Sequence, residues 1–182
     1  MIDYDQIPGL ISKQALAEHI KLYNGYVEML GRVDQKQNIQ VINKNDLKLD
    51  SAFANNMWAQ SYSIGGIDLH ELYFEGLSIT PSTPSDSLLS FIGDFDDFIN
   101  RIIEVGMVSR GWVVVAQNPK TMTWRIFSMD SHDEGAVFGY IPFLVIDTWE
   151  HAYWMDWGTN KEGYLKTLVK HINWLVIEDR ML

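Results

Sequence analysis

Apolar residues near the start of the chain recur at intervals of three and four. Leu16, His19, Ile20, Tyr23, Val27 and Leu30 share one stripe over residues 13–33, the repeat of a helix face. Ser12 stands where a capping side chain would start that helix. The polar residues 34–50 predict a loop with one turn of order. A second long helix is predicted over 52–77, although Gly65-Gly66 falls inside it. Glycine weakens a helix interior, so the pair reads as a place where another backbone comes close.

Thr80-Pro81-Ser82-Thr83-Pro84-Ser85 is the strongest linker signal. Beyond it, 88–105 reads as one helix and 111–116 as a β-branched strand. Asn118-Pro119-Lys120 makes a turn, and 123–128 returns as the second strand of an antiparallel hairpin. A third strand, 142–146, runs up to Asp147, and helices over 161–170 and 174–181 close the chain. The predicted class is α+β: an N-terminal antiparallel α-hairpin (1–80), a linker (81–85), and a C-terminal domain (86–182). In the latter, helices flank a small three-stranded antiparallel sheet.

Charge narrows the function. With 24 acidic and 14 basic side chains the net charge is -10, which argues against nucleic-acid binding through phosphates. An anionic substrate would need a local positive funnel. There is no cysteine, so thiolate metal sites and thiol nucleophiles are excluded. No apolar run approaches the ~20 residues of a membrane span. Residues 1–9 lack the basic start and apolar block of a signal peptide. A cytoplasmic protein with no membrane or nucleic-acid partner is expected.

Candidate chemistry gathers at Asp147-Thr148-Trp149-Glu150-His151, where a carboxylate and an imidazole lie four residues apart. His19 and His70 sit far upstream on the predicted helices. Three imidazoles and one carboxylate suit a mid-row transition metal better than calcium or magnesium. A lone histidine on an apolar helix face is more often a hydrogen-bonded core residue, so the neighbouring residues decide. Arg110-Gly111-Trp112 opens the strand hairpin, and Leu69-His70-Glu71-Leu72-Tyr73-Phe74 surrounds one histidine with aromatics. Pro142-Phe143-Leu144-Val145-Ile146 leads into the Asp147 run, and Lys161, Tyr164 and Asn173-Trp174 follow. Through these residues the chain resembles the iron/manganese superoxide dismutase family, densely over 111–180 and more thinly over 11–78.

The resemblance implies that His19, His70, Asp147 and His151 bind one iron or manganese ion, iron slightly preferred, with solvent as a fifth ligand. It implies conversion of superoxide to dioxygen and hydrogen peroxide. Phe74, Trp112, Trp149 and Trp154 would form an apolar shell. It also implies a homodimer, or a tetramer built from it, in which Glu150 reaches His151 of the partner subunit.

This chain departs from the family pattern in places. The gateway tyrosine, Tyr26, comes seven residues after His19 instead of eight, and one residue rotates a helix by about 100°. Tyr23 replaces a second histidine, and Trp154 replaces the tyrosine that would meet it across the interface, so a substituted cross-interface pair is expected. Gly66 stands where iron-type relatives carry the glutamine that holds metal-bound solvent. After a one-residue gap, His132 occupies the manganese-type position for that glutamine and is expected to take its role.

Lys161 matches a basic position that could steer anions, and His171 reads as solvated surface. Two other readings stand beside the dismutase: a weak or inactive dimeric relative that binds metal or partners, and a zinc hydrolase, for which no general base is evident.

Overall fold

The chain's computed structural model describes residues 4–37 and 51–181. Helix α1 (Lys13–Gln37) and helix α2 (Ser51–Glu75) form the predicted hairpin. Their contacts run in opposite directions along the two helices: His19 packs on Phe74, Tyr23 bonds to Glu71, and Tyr26 meets Gly66. Helix α1 continues four residues into the expected loop, whose remainder, 38–50, lies outside the described residues. The apolar stripe of α1 is not buried throughout. Leu16 and His19 are inside, whereas Val27 is 44% exposed.

The segment read as one helix over 88–105 is two, α3 (Asp86–Ile92) and α4 (Phe95–Val108). Gly93 adopts φ +87, a conformation that stops a helix and suits glycine. Asp94 then caps the next helix, its carboxylate accepting from the Asp97 amide at 2.8 Å. Ser85 caps α3 in the same way through the Leu88 amide at 3.2 Å. Local capping thus overrides apolar periodicity that would run straight through.

Three strands follow: β1 (Trp112–Asn118), β2 (Thr123–Met129) and β3 (Ile141–Asp147). Both pairings are antiparallel, in the order β2-β1-β3. Central strand β1 is buried on both faces from Trp112 to Gln117, which its unbroken Trp-Val-Val-Val-Ala run permits. Register places Trp112 opposite both Met129 and Asp147.

Helix α5 (Glu150–Trp157) follows β3 after a two-residue turn, an element the sequence reading did not name. Helix α6 (Lys161–Leu168) tightens into a 3-10 turn, Val169–His171, before α7 (Trp174–Asp179). That turn brings 171–173 beside the end of α2. Ser78 donates to the His171 carbonyl and Asn173 to the Gly76 carbonyl, both at 2.8 Å. His171 is therefore half-buried, its Nδ1 3.2 Å from the Ser78 carbonyl, where solvated surface was expected.

One apolar cluster runs from Leu16 and Tyr73 in the hairpin through Trp112, Val113 and Ile146 in the sheet to Leu165 in α6. Full burial of each large side chain contributes about 1.5–3 kcal/mol. The cluster holds α1, α2, β3 and α5 around one point. No helix among the described residues is long and apolar enough to cross a membrane.

Candidate metal centre

Four separate elements deliver one side chain each to that point: His19 from α1, His70 from α2, Asp147 from the end of β3, and His151 from the first turn of α5. Asp147 Oδ2 lies 3.1 Å from His19 Nε2, 3.1 Å from His151 Nε2 and 3.8 Å from His70 Nε2. All four ligand atoms fall within 4.8 Å of one another. Ligands about 2.1 Å from one ion stand about 3 Å apart at right angles and about 4.2 Å apart when opposed, a range that holds all three separations from Asp147 Oδ2.

Hydrogen bonds orient these groups. His70 Nδ1 donates to the Gly66 carbonyl at 2.5 Å, which leaves the Nε2 lone pair facing the centre. Asp147 Oδ1 accepts the Trp149 amide at 2.8 Å, so Oδ2 alone faces the histidines. Beneath, Tyr164 donates to the Asp147 carbonyl at 2.9 Å, and its hydroxyl lies 3.1 Å from that of Tyr73.

His19 Nε2 and His70 Nε2 are buried without a hydrogen-bond partner. Buried polar atoms are seldom left unpaired, because each costs about 1–3 kcal/mol. Two such nitrogens beside one carboxylate oxygen are what a cation would satisfy. Burial drives His19 down and His70 down to about 4, keeping both imidazoles neutral. Burial alone would raise the Asp147 carboxyl, but His151 and His19 against it hold it well below the usual carboxylate range. Neutral imidazoles and an ionised carboxylate are the ligand forms a divalent or trivalent ion requires.

Aromatic rings enclose the centre. Trp112, fully buried, meets His70 edge-on at 4.9 Å, Phe74 meets His19 at 4.9 Å, and Trp149 stacks on His151 at 6.3 Å. Trp154 is 49% exposed and makes no ring contact with the four ligands among the described residues.

Tyr26 and His132 come together despite the shortened spacing from His19. His132 Nε2 lies 2.8 Å from the Tyr26 hydroxyl, and Trp112 Nε1 donates to His132 Nδ1 at 3.0 Å. The glycine pair makes this approach feasible. A Cβ on Gly65 would stand 2.2 Å from the His132 carbonyl oxygen, and one on Gly66 3.0 Å from the Tyr26 ring.

Tyr23 turns toward its own chain. Its hydroxyl donates to Glu71 Oε1 at 2.7 Å, and that bond, with burial, pushes it up to about 12. Glu150 is exposed at the start of α5. Lys161 is half-buried, and its ammonium donates to the Ser109 carbonyl at 2.6 Å, with burial lowering its pKa.

Sequence reasoning gave no role to Glu71 or Tyr164, which it quoted only for the resemblance, and did not name Tyr62. Glu71 holds Tyr23, Tyr164 supports Asp147, and Tyr62 packs against His132 at 4.5 Å between ring centroids. Tyr62 stands eight residues before His70, two helical turns along α2, a spacing that could have marked it.

Comparison with known proteins agrees with this geometry. The family described as iron/manganese superoxide dismutases, C-terminal domain, matches residues 85–180, more than half of the chain. An iron superoxide dismutase of Aquifex pyrophilus is 30% identical, over 93% of this chain and 84% of that protein. A manganese superoxide dismutase of Chlamydia muridarum is also 30% identical, over 99% and 92% respectively. One from Halobacterium salinarum, likewise named for manganese, is 25% identical over 94% of this chain. Four side chains able to hold a metal, delivered by four elements, a matching C-terminal domain and relatives similar along nearly the whole length lead to one conclusion: the chain belongs to the iron/manganese superoxide dismutase family.

Proposed function

We propose that this protein is a superoxide dismutase working at one iron or manganese ion held by His19, His70, Asp147 and His151. Two superoxide radicals and two protons become one dioxygen and one hydrogen peroxide. The observation that carries the reading is the pair of buried, unpartnered imidazole nitrogens beside Oδ2 of Asp147. When bound, the ion would supply one-electron redox chemistry toward superoxide.

The protein's own residues do the rest. Asp147 Oδ2 provides the single negative ligand, fixed because Oδ1 is occupied by the Trp149 amide. Trp112, Phe74 and Trp149 keep bulk water and larger molecules from the centre. Peroxide needs two protons, and the hydroxyl of Tyr26 stands nearby to hold one. His132 has a single N–H for two roles, since Nδ1 already accepts from Trp112. A bond from Nε2 to metal-bound solvent would compete with the bond to Tyr26.

The exposed start of α5, with Glu150 and Trp154, is the face we assign to a homodimer. Relatives named for iron and for manganese both match, and iron is the first ion to test. Elemental analysis of purified protein, with superoxide decay followed after pulse radiolysis, provides that test. Stoichiometric iron or manganese with rapid decay is expected. Bound iron or manganese without turnover would mark an inactive relative, and zinc without redox activity would overturn the dismutase reading.

A further inference from the structure

Helix α1 carries His19 but starts without the charge that suits a helix N-terminus. Its first turn begins with Lys13 and holds no acidic residue, although the positive end of the helix dipole favours a negative group there. That group comes from another element. Asp156, in the last turn of α5, accepts the Ser12 amide through Oδ2 at 2.7 Å. Next to it, Trp157 Nε1 donates to the Leu10 carbonyl at 2.8 Å.

The main chain of 10–12 accounts for both bonds. The Leu10 and Ile11 amides donate to the Ile7 carbonyl, the Ile11 carbonyl accepts from Ile7, and the Ser12 carbonyl accepts from Leu16. The groups left over are the Leu10 carbonyl and the Ser12 amide, and α5 satisfies each of them. Gly158, at φ +54, ends α5 directly after this pair, its amide donating back to the Trp154 carbonyl. The entry of α1 is thus latched to the final turn of α5.

Both helices also deliver a candidate ligand. His19 follows Ser12 by seven residues, about 10 Å along a rigid helix. His151 precedes Asp156 by five residues on α5. The two imidazole rings stand 4.7 Å apart, each with its Nε2 3.1 Å from Asp147 Oδ2. A slide or turn of α1 against α5 would change that spacing, and the latch opposes such a movement.

We propose that Asp156 is a positioning residue for the metal centre: by holding the Ser12 amide it fixes α1 against α5, and so His19 against His151. Trp157 is the second pin of the same latch. The proposal rests on the ligand set of the dismutase reading, His19 and His151 sharing one ion, and not on turnover.

Zinc-loaded protein reports on the centre without any redox step. Asp156→Ala should speed zinc release to a chelator about fivefold, short of the roughly tenfold or more expected when a group bonded directly to a ligand is lost. Asp156→Asn keeps an oxygen for the Ser12 amide and should bring release back to within about twofold of wild type. Ser85→Ala removes the cap of α3 and controls for stability alone, so its release should match wild type. Unchanged release in Asp156→Ala, no recovery in Asp156→Asn, or equal acceleration in Ser85→Ala would overturn the proposal.

The full chain labelled with nitrogen-15 histidine, followed by nuclear magnetic resonance before and after zinc is added, separates the latch from the ligand set. In Asp156→Ala the His19 and His151 resonances should move, while that of His171, on the 3-10 turn after α6, should stay in place. Unmoved His19 and His151 resonances would remove the latch. A wild type that takes up no zinc, with these shifts still present, would sink the ligand set and leave the latch standing. Zinc release that follows the expected pattern, in a protein whose iron- and manganese-loaded forms fail to dismutate, would end the functional reading alone.

Discussion

Replacing Gly65 by alanine tests the contact on which the whole gate depends. In a helix interior alanine is favoured over glycine by about 1 kcal/mol, so stabilisation would be expected if α2 stood alone. The added Cβ, however, would lie 2.2 Å from the His132 carbonyl oxygen and 2.9 Å from its carbonyl carbon. Both are backbone atoms, and ordinary contact begins at 3.4 Å, so the loop must retreat by about 1 Å. A shift of that size stretches the His132 bonds to Tyr26 and Trp112, now 2.8 and 3.0 Å, beyond hydrogen-bonding range. Overpacking costs about 1–3 kcal/mol, and the two bonds about 1 kcal/mol each. Against a helix gain of about 1 kcal/mol, the net is a loss of about 2–4 kcal/mol, or about 5–15 °C in Tm for a chain of this length. Thermal melts of metal-loaded protein measure it, with Gly31→Ala as control. Gly31 meets nothing within 4 Å, and its replacement should raise Tm by about 2–4 °C. If Gly65→Ala also raised Tm, the packing of His132 against α2 would be refuted.

Asp147→Ala should abolish stoichiometric metal in the purified protein, because it removes the only anionic ligand; elemental analysis decides, and full metal content would refute the ligand set. His132 is pushed from 6.5 to about 4 by burial, so the unfolded chain binds its proton first on acidification. Stability from this group is complete above about pH 6.5 and is lost as pH falls toward about 4, and urea midpoints between pH 4 and 7 should slope less in His132→Gln. Removing the α3 cap with Ser85→Ala should cost about 1 kcal/mol, read as a Tm fall of about 2–4 °C.

The parts of the fold readable from the chain are those whose cause is local. Helix α1 announces itself by its apolar repeat, and β1 by consecutive β-branched residues between a tryptophan and a turn. The break at Gly93 was equally local, but the apolar positions of 88–105 continue across it in helical phase. The left-handed backbone at Gly93 and the Asp94 side chain, turned back on the Asp97 amide, separate the two helices. Helix α5 escaped notice because its eight residues alternate aromatic, acidic and small types with no single face. Its start is set from outside, by the turn after Asp147 in which that carboxylate takes the Trp149 amide.

The candidate centre divides along the same line. Its four candidate ligands stood out because each belongs to a distinctive run of residues, but nothing in the run around His19 says that its Nε2 lies beside Asp147. That depends on α1 and α2 packing in one register, which the residues of both helices settle together. Gly65 and Gly66 show the limit most clearly. From the sequence they are a weakness in a helix with some compensating approach to explain them. Only the fold reveals that one admits the backbone of His132 and the other the ring of Tyr26.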